Sequence, residues 1–432
     1  MRGARRSLFT CALAAAATAA WLAAPGRGAE VAACGKVLPP SRGAYLGAAP
    51  ALGGLRASRV AAFEQQVGNR LSWVALSQPW SRGLAFPRGQ VLSIWRGGAV
   101  PYVAFLPTSG AYAPGTAQSG PERRYTLQAI VDGAFDHRLG AWADGARNLG
   151  VPLLLSFGAD VNEDWGPWNA RWNGAGETEG YGDPTYPDGA ERYRDAYRHV
   201  VELFRAEGAT NVAFVFQADA GATGAAWNAA RLYYPGDRYV DWLAISAYGS
   251  LDSSSPIVPF ARRLGGSDVY GTLTRLSRRP AAAFVGTVDD AAQRKPAWIR
   301  DVFRALRSGR YPRVRAAVWW EPRDLLGPGG GSARQSVLAA LRDGVAGTWF
   351  SGRPRFAGDC RPPSPASISA RAAGVGTIRV RWSPVPVASS YELYRDGRLL
   401  ARTTRTSWSD TTAGQRPHRY TVRSVDLGGR SI

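Results

Sequence analysis

Eight short apolar runs constrain what this chain of 432 residues can fold into. They occupy 45–50, 71–80, 100–107, 151–160, 211–219, 240–249, 280–287 and 315–322. Several are almost unbroken, as strands buried on both faces should be. Amphipathic stretches separate many of them. The clearest is 191–207, where Tyr193, Tyr197, Val200, Val201 and Phe204 recur at helical spacing with Arg and Glu opposite. Eight strands alternating with helices predict an α/β fold, the (β/α)8 TIM barrel. The competing architecture is a doubly wound open sheet. That sheet usually carries a Gly-rich phosphate fingerprint after an early strand, and none is found here.

Composition narrows the class further. The chain is 45% hydrophobic and 11% aromatic, which excludes a mainly disordered protein. Its Gly and Pro residues follow no triplet period, which excludes collagen. The formal charge is +20, yet Lys36 and Lys295 are the only lysines among 53 basic residues. No basic run of the nucleic-acid-binding kind occurs, so no nucleic-acid partner is expected. An acidic polysaccharide or an anionic envelope suits a basic exported protein better.

Arg2, Arg5 and Arg6 precede an Ala-rich apolar stretch at 8–24, followed by small residues. This predicts a signal peptide over 1–29 and a secreted or periplasmic mature protein. Val31-Ala-Ala-Cys34 resembles a lipoprotein box, but Arg27 and Glu30 separate it from the apolar run. No later segment has 18 consecutive apolar residues, so no membrane span is expected. Cys11 falls in the signal peptide. Cys34 and Cys360 remain, and in an oxidising compartment they predict one disulfide bracketing the large domain; two free thiols are the alternative.

The large domain is expected over 30–350, a Pro-rich linker over 351–364 and a small all-β module over 365–432. Residues 377–382, 390–395 and 419–425 alternate in polarity, with Asp396-Gly397 as a turn. Trp382, the run from Tyr391 to Gly397, and Tyr420-Thr-Val422 leading to Asp426 and Gly428 resemble an immunoglobulin-like fibronectin type III sandwich. The sequence stops at Ile432, where the last strand of such a module should begin, so a truncated module or an unpaired edge is expected.

Barrel chemistry sits on loops at the carboxyl ends of the strands. Trp80 closes the second run. Asp160, Asn162, Glu163, Asp164, Trp165 and Trp168 follow the fourth, and Gln217 and Asp219 end the fifth. Tyr248 ends the sixth. Phe284, Val285 and Gly286 end the seventh, with Asp289 and Asp290 just beyond, and Trp319, Trp320 and Glu321 end the eighth. Carboxylates interleaved with indoles predict a sugar cleft, because indole faces stack on pyranose rings while carboxylates grip hydroxyls or move protons. The plainer alternative is helix capping by the acids and gap filling by the indoles. His137, His199 and His418 lie apart, and no cysteine cluster, nucleophile elbow or phosphate loop is present. No metal and no cofactor is expected.

Four segments carry a family resemblance. They are Gly133-Ala-Phe-Asp136 through Gly158-Ala-Asp160-Val-Asn162-Glu-Asp-Trp165-Gly-Pro-Trp168, Tyr193 through Asn211, Tyr234 through Tyr248, and Lys295-Pro-Ala-Trp-Ile299. Together they resemble glycoside hydrolase family 26, the β-mannanase type, over residues 40–350. The resemblance implies a retaining mechanism with two glutamates about 5–5.5 Å apart, an acid/base after the fourth strand and a nucleophile ending the seventh. Here the acid/base position is Asp160, the family's preceding histidine is Ala159 and an upstream arginine is Ser156. The nucleophile position falls at Phe284 or Val285, which cannot form a glycosyl ester. Asp160 is one methylene shorter than Glu, and misplacement by about 1 Å can cost ~10²-fold in rate.

Asn162, Trp165, Trp168, Tyr248, Trp80 and Trp320 are the expected substrate-binding residues. Two functions follow. One is a divergent hydrolase of a β-mannan or related β-glycan, with Asp160 as acid and Glu321 or Asp219 as second carboxylate. A gap of about 6.5–9.5 Å between the two would suit inversion. The other is a catalytically silent polysaccharide-binding protein. A cell-surface scaffold for protein partners is a third reading, to which no residue pattern points. A monomer with a polysaccharide partner, acidic ones included, is expected.

Overall fold

A computed structural model describes residues 34–50, 57–110, 120–222, 225–266, 269–289, 293–321, 331–414 and 416–432. The expected signal peptide lies outside them. Each of the eight apolar runs overlaps one barrel strand. After a short β1 (Val37–Leu38) come β2 (Ala44–Pro50), β3 (Trp73–Pro79), β4 (Val100–Leu106), β5 (Leu153–Phe157), β6 (Val212–Asp219), β7 (Trp242–Ser246), β8 (Ala281–Val285) and β9 (Val314–Glu321). The strands β2 to β9 pair in parallel in chain order, and β9 returns to β2 from Tyr45 opposite Ala316 to Pro50 opposite Glu321. The sheet is closed, as a TIM barrel requires.

The runs read as nearly continuous apolar because each strand is buried twice. Tyr45, Trp73, Tyr102, Trp242 and Phe284 point inward and fill the barrel. Leu46, Val74, Val103, Leu243 and Val285 point outward beneath the helices. The helix Asp188–Ala206 seals one flank with Tyr193, Tyr197, Val200, Val201 and Phe204. Trp73 meets Trp242 edge-on at 4.9 Å low in the barrel. There the Trp242 indole donates to the Val37 carbonyl at 3.0 Å. Lys36 reaches Asp241 at 2.9 Å, so the N-terminal segment caps the barrel floor.

Residues 351–364, expected as a linker, are partly paired. β10 (Phe350–Ser351) lies parallel to β2, and β11 (Arg355–Phe356) pairs antiparallel with β1. A disulfide joins Cys34 to Cys360. Two ends of the domain meet at the floor, and the backbone pairing there leaves less free chain than Pro-rich composition suggests.

The C-terminal module is a β-sandwich. One sheet has three strands, β12 (Ile368–Gly374), β13 (Thr377–Trp382) and β16 (Ser407–Asp410), in the order β12-β13-β16. The other has β14 (Ser390–Arg395), β15 (Arg398–Thr403), β17 (Tyr420–Asp426) and a two-residue β18 (Gly429–Arg430), in the order β15-β14-β17-β18. Val380, Trp382, Tyr391 and Leu393 form its core. The module is seated on the barrel helix Arg88–Arg96. The Trp95 indole donates to Asp426 at 3.1 Å and packs on Phe356 at 5.6 Å. Burial pushes the Asp426 carboxyl up to about 6. Gly428 lies so close to the Cys360 carbonyl that a Cβ would overlap it at 1.8 Å.

The Cys34–Cys360 bridge closes a loop of sequence separation 326. Cys34→Ser with Cys360→Ser is expected to lower unfolding stability by about 2–4 kcal/mol, chiefly by freeing the unfolded chain. Thermal melts with and without reductant check this; a melt unmoved by reductant contradicts it.

Candidate active site

The carboxyl ends of β5, β6 and β7 build one polar cluster. Past β5 the backbone turns sharply, and Gly158 and Asp160 both adopt left-handed conformations, φ 58° and 54°. Gly158 needs its missing side chain, because a Cβ would sit 2.9 Å from the Trp168 ring and 3.0 Å from Tyr193. A left-handed non-glycine residue stores roughly 1–2 kcal/mol of strain, and such strain concentrates at functional sites. Here it turns the Asp160 side chain back toward the polar groups over the barrel axis.

Asp160 is 8% exposed. Its Oδ1 accepts from the Ser246 hydroxyl at 2.5 Å and the Gln217 amide at 3.1 Å. The Trp165 indole donates to the same carboxyl. The Gln217 amide also donates to Ser246 Oγ at 3.0 Å, and its carbonyl accepts from the Tyr102 hydroxyl at 2.7 Å. Four strands or their ends therefore converge on one carboxyl: β4 through Tyr102, β5, β6 through Gln217, and β7 through Ser246.

Asp219 ends β6 and is 7% exposed. Its backbone is zipped to the loop after β5. The Asn162 amide donates to the Asp219 carbonyl at 2.9 Å, and the Asp219 N–H donates to Asn162 Oδ1 at 2.8 Å. The half-buried Glu163 shares a hydrogen bond with the Asp219 carboxyl. Arg263, on the helix Phe260–Gly266, donates to the Tyr248 carbonyl at 2.8 Å, and its charge is felt by Glu163 and Asp219.

Three carboxyls thus gather here, and two of them, Glu163 and Asp219, feel the Arg263 charge. Burial pushes Asp160 up to about 6, against the pull of its Ser246, Gln217 and Trp165 donors. Burial first, then the Asp160 and Asp164 charges, push Glu163 up to about 7. Burial and the charges of Asp160 and Glu163 drive Asp219 well above the usual carboxylate range. Glu163 and Asp219 therefore hold a proton between them as a coupled pair. In direct contact, these two leave no sugar-sized gap between them and act as one proton-sharing unit. Asp219, expected as a lone second carboxylate, works as half of this pair. Glu321 ends β9, and its side chain lies outside the described residues.

The expected sugar-binding residues divide. Tyr248 and Trp320 pack together at the mouth at 5.0 Å, both half-buried. Trp165 is half-buried beside Asp160 and meets Trp168 edge-on at 5.0 Å. Trp80 is 0% exposed and is enclosed by Phe105, Tyr125, Phe135 and Phe157 between barrel and helices, so it offers no face to a sugar. Trp168 is buried too, its indole donating to the Ala159 carbonyl at 3.0 Å, and it props up the loop. Asn162 has both ends of its amide engaged by the Asp219 backbone. These three are structural: a ring or amide one strand position from the mouth is taken up by packing.

At the nucleophile position of the resemblance, Phe284 points into the barrel against Tyr102 at 5.1 Å, and Val285 points outward beneath the helices. Ser246, Tyr102 and Arg263 were not singled out from sequence. A hydroxyl inside the apolar run 240–249 was the available signal for Ser246; Arg263 carried none, because it arrives from a distant helix.

The fold and site together are a closed (β/α)8 barrel whose mouth carries a carboxyl cluster and aromatic rings. Residues 128–263 match the family model "Glycosyl hydrolase family 26". Endoglucanase H of Acetivibrio thermocellus is 25% identical over 281 residues, 64% of this chain and 27% of that protein. The match thus spans about a quarter of that relative's length. Among solved structures, a modular endo-beta-1,4-mannanase from Cellulomonas fimi superposes with TM-score 0.51 at 17% identity, over 90% of this chain and 92% of that one. A double mutant of a Cellulomonas fimi endo-beta-1,4-mannanase gives TM-score 0.50 at 16% identity over the same shares. Residues 128–263 are thus similar to glycosyl hydrolase family 26, and the fold is one that a solved endo-beta-1,4-mannanase shares.

Each of the three carboxyls keeps its proton to higher pH in the folded chain than in the unfolded one, where the ordinary values are 3.8 for Asp and 4.5 for Glu. These three groups therefore bind more protons in the folded state from about pH 4 to about pH 7, and their contribution to stability falls as pH rises through that window. Asp160→Asn is expected to remove its share of this fall. Melting temperatures of both proteins across the window check it; a difference between wild type and variant that does not change from about pH 4 to about pH 7 contradicts the assignment.

Proposed function

We propose that the chain is a secreted polysaccharide hydrolase with a divergent site, acting on a β-mannan or a related β-glycan. The observation that carries this reading is the carboxyl cluster at the barrel mouth, where two differently perturbed acid units stand side by side. Asp160 receives three hydrogen bonds from donors, which favours its ionised form, so it is the carboxylate that activates water. The Glu163–Asp219 pair holds a proton near neutrality, so it protonates the leaving glycosidic oxygen. This exchanges the acid role that the resemblance assigns to Asp160. With Phe284 at the nucleophile position, water attacks the sugar directly and no glycosyl ester forms. The water proton passes to Asp160 and the pair's proton to the departing hydroxyl, so the step balances. The half-buried Tyr248–Trp320 pair supplies the stacking surface.

The export signal and the disulfide support an extracellular or periplasmic setting. The paired sheets of three and four strands support a fibronectin type III-like reading of the C-terminal module. Phe284 favours a second reading, in which the barrel binds a polysaccharide without turnover.

Reducing-end release from β-mannan and β-glucan decides between them. The hydrolase reading expects turnover that falls below about pH 6 as Asp160 gains a proton and falls again only at a pH above about 7, where the coupled pair gives up its last proton. Glu163→Gln and Asp160→Asn are each expected to lower kcat by about 10²-fold or more. Quenching of Trp fluorescence by oligosaccharide without product would support the binding reading, and neither signal would remove both.

A further inference from the structure

The two sheets of the C-terminal module treat their arginines differently. On the four-stranded sheet several cations have partners, although Arg398 on β15 is exposed. Glu392 meets Arg402 at 3.0 Å and Arg430 at 3.2 Å, and Arg423 lies 5.3 Å over the Tyr394 ring. On the three-stranded sheet the register puts Arg371 directly opposite Arg379, and sets Arg381 between Ser369 and Ser407. Arg379 is flanked on its other side by Ser409. Arg371, Arg379 and Arg381 share the outer face, since Val380 and Trp382 between them point into the core. All three are exposed, and among the described residues none has a carboxylate partner or a hydrogen-bond acceptor.

Like charges placed directly across strands repel one another and destabilise a sheet. Arg379 and Arg381 are about 6.8 Å apart along β13, and Arg371 lies one strand away at about 4.8 Å. Such a row invites a ligand that carries repeated negative charge. A guanidinium fork matches a carboxylate or sulfate in two parallel hydrogen bonds. The interleaved Ser369, Ser407 and Ser409 hydroxyls suit sugar hydroxyls.

We infer that this face is a binding surface for an anionic polysaccharide, separate from the barrel mouth. The partner's class rests on the polysaccharide-directed reading of the barrel; the charge of the partner rests on the face itself. Among the described residues the row of Arg371, Arg379, Arg381 and the serines holds no aromatic ring; Trp408, 37% exposed on the same sheet, pairs with the core residue Val380 and so belongs to the opposite face, which disfavours single-stranded nucleic acid and lipid on the row.

The test uses the full chain and sodium polygalacturonate across a salt series. Arg371→Gln/Arg379→Gln/Arg381→Gln is expected to weaken binding at least tenfold and flatten its salt dependence, by the logic of counterion release. Arg371→Gln alone, on the edge strand, is expected to give part of that loss. A control of equal charge change on the barrel surface, Arg88→Gln/Arg138→Gln/Arg353→Gln, is expected to change affinity less than about twofold. Equal weakening in both triple variants would reduce the effect to diffuse charge and overturn the site. Displacement of polygalacturonate by duplex DNA or by phosphatidylglycerol vesicles at lower charge equivalents would overturn the partner class. Turnover of neutral β-mannan is expected to be unchanged in the first triple variant. Absence of turnover in the wild type sinks the hydrolase reading and leaves polygalacturonate binding in place, whereas loss of specific polygalacturonate binding sinks this surface alone.

Discussion

The site depends on removing three carboxyl groups from water, with the Arg263 charge felt by two of them. A buried carboxylate without partners is costly, so each group either keeps its proton or gathers donors. Asp160 does the second, with Ser246, Gln217 and Trp165 aimed at it. Glu163 and Asp219 do the first, sharing a proton while Arg263 offsets part of their charge. That division makes acid–base chemistry near neutral pH available at a barrel mouth that has an apolar ring where the family resemblance places a nucleophilic carboxylate.

The barrel explains how such a cluster is held. Its members come from loops and strand ends far apart in sequence, yet each is anchored by backbone. Asn162 ties the loop after β5 to the end of β6, and Trp168 wedges that loop from behind. Below, Trp73 and Trp242 fill the axis, and the N-terminal segment with its disulfide shuts the floor. The mouth is left as the place where polar groups can meet a ligand. The β-sandwich is seated on the flank through Trp95 and Asp426, which places its cationic outer sheet on the same molecule without occupying the mouth.

Much of the scaffold was legible in the residues. Strands buried on both faces need unbroken apolar runs, and helices covering a barrel need one apolar stripe, so both patterns appear directly in the chain. The rim carboxylates were legible for the same reason, since they follow those runs. The roles of the aromatic residues were not. Trp80 and Trp320 look alike in sequence, yet Trp80 turns under the helices and Trp320 faces the mouth, because a shift of one strand position exchanges the two sides of the sheet. Asn162 looked like a sugar ligand, and its amide instead completes a backbone pair.

Periodicity of apolar side chains determined, by itself, that eight strands would close into a barrel and that acids and indoles would gather near one rim. Only the tertiary structure decided which acids share a proton, which hydroxyl and amide point at Asp160, and that Arg263 arrives from a separate helix. The physical reason is range. Burial patterns are written locally, residue by residue, whereas a proton's position depends on the summed field of groups that the chain brings together only on closing.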